Sequence, residues 1–407
     1  MKAYQIPTVL LFTLLALVAC AGGGSGGTGY DGGGVGGSGI VSRGSIEELG
    51  SIVVNGTEFE TTNAVVVVNG VVVGTGDVVV QTYLSEGKVV TVHAAPTEED
   101  EYALAERVEY RSDVEGPVSL VDASDPDYLV LTVMGQMVVV NYLTQLENID
   151  LQNILSGMVV EVSGFYDDQG TVWATFLEDK GLYQENTLYE VKGFIKNLDP
   201  QQELFQLNGL NVSYALADTS GLPGGVPDNT MLVEAIGTVD DNFTTMTADI
   251  VDLEDDLETD NAEEVEIIGF VTDKTSADMF AVGSQVVVVE EGAEFVDGEQ
   301  VDIAPGKKLE AEGTLVNGIL RAWEIEFWEP DQFEIEGPVT HIESINLITG
   351  EAEFTVDDDQ VVVTTDQTAW EDGGLADIDL GVNLEIKGRM QDDAMEADKV
   401  SFELEGI

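Results

Sequence analysis

The stretch Gly157-Met158-Val159-Val160-Glu161-Val162-Ser163-Gly164 decides the fold class, because apolar and polar residues alternate along it. Such alternation is typical of a β-strand with one face in a core. Related stretches occur four more times in the chain, as Gly87–Val92, Met231–Gly237, Lys308–Gly313 and Val382–Gly388. A strand that returns at regular intervals indicates that one β unit is repeated along the chain.

Two other elements recur with the same period. Each unit opens on a glycine in a β-rich run, at intervals of 68 to 77 residues: Gly44, Gly116, Gly193, Gly269 and Gly337. Each unit closes on a strand with the pattern Ala-x-x-aliphatic: Ala105/Val108, Ala174/Leu177, Ala248/Val251, Ala322/Ile325 and Ala397/Val400. Helical periodicity is nearly absent, and only segments such as Thr144–Leu155 could form a helical turn or two.

Between these elements the sequence predicts hairpins. Leu131–Val140, Phe280–Val289 and Phe354–Val363 each read as two strands around a short polar turn, and a degenerate version surrounds Phe205 in the third unit. Asn69-Gly70, between two Val-rich runs, is a strong two-residue hairpin signal.

The first unit carries a family resemblance. It reads Gly44-Ser45-Ile46-Glu47-Glu48-Leu49-Gly50-Ser51-Ile52-Val53-Val54-Asn55-Gly56-Thr57-Glu58-Phe59-Glu60-Thr61, and continues through Ala64–Gly70 and Gly87–Val92. This order of elements resembles the bacterial domain-of-unknown-function family 5666. The resemblance is closest there, extends over the second, fourth and fifth units, and is weaker in the third. That family has no established activity, so the resemblance implies an architecture and no catalytic residue.

We therefore predict an all-β protein with five tandem small β-barrel-like (OB-like) units after a signal peptide and a Gly-rich tether. Barrel closure would hide strand edges that Val65–Val68 and Val71–Val73 otherwise expose. The predicted segments are a signal peptide 1–19, a lipidated Cys and tether 20–42, and β units at 43–111, 112–184, 185–256, 257–330 and 331–407.

The N-terminal segment predicts export and lipidation. Pro7–Val18 is nearly all apolar, too short for a membrane span and suited to a signal-peptide core. Leu17-Val18-Ala19-Cys20 resembles the bacterial lipobox, in which the cysteine receives the lipid, and Cys20 is the only cysteine of the chain. The alternative is ordinary signal-peptidase cleavage after Ala21. By resemblance to lipoproteins of two-membrane bacteria, Ala21 fits delivery to the outer membrane, periplasmic or surface face unspecified.

Composition excludes several classes of protein. The chain has 78 Asp and Glu against 15 Lys and Arg, a formal charge of −63. A protein that binds nucleic acid by neutralising phosphates needs the opposite charge. Disorder is disfavoured by the 43% hydrophobic content, and a single Cys excludes a disulfide scaffold.

No constellation of residues points to catalysis or to a resident cofactor. His93 and His341 fall in different units, and no nucleophile motif or zinc spacing is present. Calcium is the open possibility, since carboxylate clusters occur at Asp122–Asp127, Asp252–Glu264 and Asp357–Asp359. The alternative is a solvated acidic surface suited to high salt. We therefore predict no enzyme, no catalytic residue, no cofactor-binding residue and no defined metal ligand.

Tryptophans are the candidates for glycan contact. Alternation along Trp323–Phe327 predicts that Trp323 points inward, and Trp173 and Trp370 occupy structural positions. Trp328 breaks the alternation and is the better exposed candidate. The sequence thus predicts a lipid-anchored, acidic, non-enzymatic envelope protein that acts as a tandem-repeat binding or spacer module with a protein or glycan partner. The alternative is a calcium-dependent adhesin or a glycan-binding surface lipoprotein.

Overall fold

The fold is known from a computed structural model. It describes residues 39–97, 102–125, 128–229, 231–254, 257, 259, 261–357, 360–391 and 394–402. The predicted signal peptide, Cys20 and the tether up to residue 38 lie outside the described residues. The chain from Gly37 onward forms one compact unit.

This unit is nearly all β, as predicted. The strands fall into five consecutive groups, which we call barrels 1 to 5. Barrel 1 contains β1 (Ile40–Glu48), β2 (Ile52–Val54), β3 (Thr57–Glu60), β4 (Val65–Val68), β5 (Val71–Thr75), helix α1 (Asp77–Tyr83), β6 (Val89–Pro96) and β7 (Ala103–Tyr110). Barrel 2 contains β8 (Val114–Asp122), β9 (Leu129–Val133), β10 (Gln136–Val140), β11 (Gln145–Glu147), a 3-10 helix (Leu151–Asn153), β12 (Met158–Tyr166) and β13 (Val172–Leu182).

The remaining three groups repeat the plan. Barrel 3 contains β14 (Tyr189–Asp199), β15 (Leu204–Leu207), β16 (Leu210–Ser213), a 3-10 helix (Pro223–Gly225), β17 (Leu232–Val239) and β18 (Thr245–Leu253). Barrel 4 contains β19 (Asn261–Lys274), β20 (Met279–Val282), β21 (Gln285–Val296), a 3-10 helix (Gln300–Asp302), β22 (Lys308–Val316) and β23 (Ile319–Trp328). Barrel 5 contains β24 (Phe333–Asn346), β25 (Glu351–Val356), β26 (Gln360–Thr364), β27 (Ala369–Glu371), a 3-10 helix (Leu375–Asp377), β28 (Asn383–Gln391) and β29 (Ala394–Phe402).

Each group closes on itself with the same strand order. In barrel 5, β24 pairs with β25 and β25 with β26; β26 then lies parallel to β29, which returns through β28 to β24. The same closure joins β19, β20, β21, β23 and β22 in barrel 4, and the other three groups follow it. The prediction of small OB-like barrels is confirmed. The residue boundaries of the five units stay a prediction, and β1 begins at Ile40, inside the segment assigned to the tether.

The predicted hairpins are present in all five barrels, and the degenerate one around Phe205 is β15 paired with β16 in barrel 3. In barrel 1, Val68 pairs with Val71 across Asn69-Gly70, and both turn residues have positive φ, as a two-residue hairpin requires. Val133 pairs with Gln136 across Met134-Gly135. The equivalent hairpins of barrels 4 and 5 join β20 to β21 and β25 to β26.

The recurrent glycine and alanine of the sequence pattern meet at a β-bulge. In barrel 4 the register jumps between Glu312 and Gly313, and Gly313 faces Ala322. A Cβ on Gly313 would lie 2.1 Å from the carbonyl oxygen of Arg321. Gly164, Gly237 and Gly388 face the equivalent alanines and are equally crowded. Close backbone approach at the bulge therefore explains why small residues recur at both positions.

The bulge corrects the prediction for Trp323. Glu324 pairs with Glu312 and Ala322 with Gly313, so Trp323 is the extra residue of the bulge. Ala322 and Ile325 are fully buried, whereas Trp323 is half-buried. The prediction that Trp323 points inward is wrong, because one inserted residue reverses the alternation on the N-terminal side of the bulge.

Neighbouring barrels share sheets. Strand β1 of barrel 1 runs parallel to β19 of barrel 4, with Ile40 opposite Glu264 and Arg43 opposite Ile267. Strand β8 of barrel 2 pairs with β14 of barrel 3. Val41 packs into the hydrophobic core of barrel 4, and one core cluster runs through barrels 2 and 3. Because barrels of this size are marginal alone, these shared sheets stabilise the assembly.

Barrel 1 has an insertion that the sequence analysis missed. Between β3 and β6 it carries the β4–β5 hairpin on β7, followed by α1. Strand β5 pairs with β4, and Val71 and Val72 are 62% and 60% exposed. The expectation that barrel closure hides Val71–Val73 is therefore wrong, because this hairpin lies outside the closed ring. Val80 of α1 is buried, and Thr61 donates a hydrogen bond to Asp77 (2.9 Å) at the start of the helix.

Candidate ligand-binding cleft

A cleft of about 470 Å³ lies where barrel 4 meets barrel 5. Its basic lining residues are Lys307, Lys387, Arg389 and Lys399, and its acidic ones are Asp297, Asp302, Glu329 and Asp398. Trp328, Phe327, Gln332, Gly298 and Ala369 complete the lining. The formal charges of the lining balance, whereas the whole chain has a charge of −63. This cleft therefore differs in charge from the molecule around it.

The strands that bound the cleft explain which residues reach it. Lys307 precedes β22 and Trp328 ends β23, so barrel 4 contributes the ends of two neighbouring strands. Barrel 5 contributes Lys387 and Arg389 from β28 and Lys399 from β29. Lys387 and Arg389 are two residues apart on one strand, and both line the same cleft.

Lys387 is the most buried charge of the cleft. Its side chain is 4% exposed and forms ion pairs with Glu326 and, at 3.3 Å, with Asp297, both from barrel 4. Its Nζ also lies 3.8 Å from the ring centroid of Trp328, close enough for a cation–π interaction. The amine of Lys387 therefore fixes barrel 5 against barrel 4 and covers the indole.

A second set of contacts lies on the barrel 5 side. Arg389 Nη2 is 3.0 Å from Asp398 Oδ1, and Gln332 donates a hydrogen bond of 3.0 Å to Asp398 Oδ2. Gln332 Oε1 in turn accepts a hydrogen bond from the backbone N–H of Glu329. This chain of contacts orders polar atoms of both signs along one wall of the cleft.

The outer part of the cleft is more open. Lys307 Nζ lies 4.0 Å from Glu329, and both side chains are at least half exposed. Lys399 forms an ion pair of 2.8 Å with Glu371. An ion pair as exposed as that of Lys307 with Glu329 contributes little to stability.

Burial controls the ionisation of the groups beneath the cleft. Burial lowers the pKa of Lys308 to about 8, and its Nζ lies 5.5 Å from the Trp328 ring centroid. Burial, with a hydrogen bond to Glu266 and repulsion from it, raises the pKa of Glu310 to about 10. Burial and the charge of Glu385 raise the pKa of Glu334 to about 8. The groups that support the cleft are thus less charged than their residue types suggest.

The candidate residues from the sequence lie in different parts of the structure. Trp328 is half-buried and lines the cleft, while its indole Nε1 is buried without a hydrogen-bond partner. Trp173 packs on Phe270 between barrels 2 and 4, and Trp370 packs on the core of barrel 5. His93 lies in β6 and His341 in β24, in different barrels.

The acidic clusters are only partly described. Residues 126–127, 255–256, 258, 260 and 358–359, which belong to the three clusters, lie outside the described residues, as does Cys20. Within the described part of the chain, no group of three or more His, Cys, Asp or Glu side chains is placed to hold a metal ion. No helix among those residues is long and apolar enough to cross a membrane.

The basic residues of the cleft were not predicted as site residues. Lys307, Lys387, Arg389 and Lys399 belong to two barrels, and the pattern of a single repeat does not bring them together. The sequence offers one signal: six of the 15 basic residues of the chain, these four with Lys308 and Arg321, lie within 307–399. In so acidic a chain this enrichment points to the last two units.

Comparisons with known proteins agree with the repeat architecture. Three segments, residues 115–178, 268–326 and 336–401, match the family described as Domain of unknown function (DUF5666). They fall in barrels 2, 4 and 5, and do not include residues 44–61, where the sequence pattern led us to expect the closest resemblance. Barrel 1 differs by its inserted hairpin and helix and by Ala94 at the bulge position. A comparison with curated proteins finds no match. The chain therefore contains three DUF5666 repeats, in barrels 2, 4 and 5.

Proposed function

We propose that this protein is a non-enzymatic binding module of the bacterial cell envelope, and that the cleft between barrels 4 and 5 is its ligand site. The observation that carries the proposal is the cleft itself: about 470 Å³, lined by balanced charges and one tryptophan in a strongly acidic chain. Its volume lies in the range of small-molecule sites, roughly 300–1,000 Å³.

The proposal includes a lipid anchor. The lipobox-like sequence ending at Cys20 supports lipidation, Ala21 supports delivery to the outer membrane, and the Gly-rich tether would separate the barrels from the bilayer. The net charge of −63 would keep the barrels soluble and away from anionic headgroups. In this arrangement other molecules of the cell envelope could reach the cleft.

Amine labelling tests the proposal without knowledge of the ligand. Cells that produce the full chain, and the purified full chain, are treated with an acetylating reagent, and labelled peptides are quantified by mass spectrometry. Lys307 and Lys399 line the cleft, whereas Lys196 is an exposed lysine on barrel 3. Dividing each signal by that of Lys196 in the same sample removes differences in reagent access.

We expect Lys307 and Lys399 to be protected in cells relative to the purified chain, because a bound ligand would cover them. Equal relative labelling in both samples would contradict the assignment of the cleft as an occupied site.

A further inference from the structure

We infer that the cleft between barrels 4 and 5 binds an uncharged oligosaccharide through its hydroxyl groups; this inference rests on the proposed function. The charge of the site favours a neutral ligand. Its lining has as many basic as acidic side chains, in a chain with a net charge of −63. An anionic ligand would be repelled by the surrounding surface, since charges interact over about 10 Å at 0.1 M salt.

The cations of the cleft already have carboxylate partners. Lys387 is paired with Glu326 and Asp297, Arg389 with Asp398, and Lys399 with Glu371. An anionic ligand would have to displace these carboxylates to reach the cations. A neutral ligand can contact both Arg389 and Asp398, which line the cleft and are partly exposed, and leave their ion pair intact.

The hydrogen-bonding groups of the cleft match hydroxyl groups. A carboxylate only accepts hydrogen bonds, and a lysine or arginine only donates them, whereas a hydroxyl group does both. The Arg389–Asp398 pair, at 3.0 Å, presents a donor and an acceptor side by side, with Gln332 adjacent. Neighbouring hydroxyls of a sugar ring match such alternating donors and acceptors, and an apolar ligand does not.

Trp328 contributes one wall of the cleft. Its ring lines the cleft, but Lys387 Nζ lies 3.8 Å from the ring centroid. The face that carries this amine is not available for stacking on a sugar. The ion pairs therefore provide the main contacts of the saccharide, and the indole forms a wall that positions Lys387.

The test uses an array of neutral hexasaccharides (gluco-, manno-, galacto- and N-acetylglucosamine series) with the hexamers of galacturonic and glucuronic acid beside them. The purified full chain is compared with Arg389→Gln and Asp398→Asn, two partly exposed cleft residues whose loss leaves the core intact. Arg321→Gln is the matched control, because Arg321 is exposed on β23 outside the cleft lining.

We expect at least one neutral series to be retained, and the two cleft variants to lose about tenfold or more in affinity, as expected for a lost hydrogen bond to a charged group. The control should bind like the wild type. A preference for uronic acids, or retention of no oligosaccharide, would overturn the inference. Protection of Lys307 and Lys399 in cells would in that case still support a ligand site of other chemistry, whereas absence of protection would remove both proposals.

Discussion

Lys88 of barrel 1 is buried against Glu161 of barrel 2, with Nζ 2.9 Å from Oε1 and both side chains 7% exposed. The same amine lies 4.5 Å from the ring centroid of Tyr110 and 4.7 Å from that of Phe176. Tyr110 donates a hydrogen bond of 2.7 Å to Glu161. Burial opposes ionisation of Glu161, but Lys88 and Lys180 hold the pKa of its carboxyl below the ordinary value. One buried cation thus joins two barrels.

Removing this cation should destabilise the protein. We expect Lys88→Met to lower the free energy of unfolding by about 3–5 kcal/mol, because Glu161 would stay buried with only Lys180 as its counter-ion. The double variant Lys88→Met/Glu161→Gln should recover part of the loss. Urea unfolding followed by tryptophan fluorescence measures both, with the exposed Lys196→Met as control. A Lys88→Met variant as stable as the control would show that the pair is not structural.

Stability should fall as the pH rises from about 6 to 10. The pKa of Glu310 is raised to about 10 in the folded protein, by burial and then by Glu266, so the folded state holds a proton that the unfolded state has released. That stabilisation is present at low pH and is lost as the pH approaches 10. Melting temperatures of the full chain across this range should show the decline.

Glu310→Gln should flatten this pH dependence and raise the melting temperature at pH 9, because an amide cannot ionise. Glu290→Gln, at an exposed position of barrel 4, is the matched control and should follow the wild-type curve. A Glu310→Gln curve parallel to that of the wild type would contradict the assignment.

The bulge glycine of barrel 4 has no room for a side chain. We expect Gly313→Ala to cost about 1–3 kcal/mol, because the new Cβ would lie 2.1 Å from the carbonyl oxygen of Arg321. Gly50→Ala is the control, since no heavy atom lies within 4 Å of a Cβ at that position. Thermal unfolding of the two variants decides the question, and equal melting temperatures would argue against crowding at the bulge.

Cys20→Ala should release the protein from membranes, because the lipid-bearing thiol is the proposed anchor. Fractionation of cells into membrane and soluble pools, followed by immunoblotting, measures the distribution. A variant that stays in the membrane pool would refute the anchor, whatever the outcome at the cleft.

Much of the fold was predictable because the local signals agree with one another. Asn69-Gly70 and Met134-Gly135 mark turns, and the first strand of every barrel contains one of the recurrent glycines. The alternation failed at Trp323, where a bulge inserts one residue. The helix α1 was not predicted, because Val78-Val79-Val80 favours a strand by propensity, whereas burial of Val80 and the Asp77 contact with Thr61 favour a helix.

The candidate site was less predictable than the fold. Trp328 was singled out because it interrupts an alternating strand, and it does line the cleft. Lys387 could not be connected to it, since the two residues belong to different repeats and meet only where barrels 4 and 5 pack together. The repeated sequence pattern predicts the strands and the core of each barrel. The cleft lies between two barrels and therefore depends on how they pack together.

The parallel pairing of β1 with β19 has a consequence for the order of folding. Ser42 and Glu266, which share a hydrogen bond across it, are 224 residues apart in the chain. During synthesis the N-terminal barrel emerges first, so β1 must keep one edge unpaired until the fourth barrel has followed. Contacts of such long range form late and slow the folding of a chain. A chaperone that covers exposed strand edges would therefore act most strongly on chains truncated before residue 261.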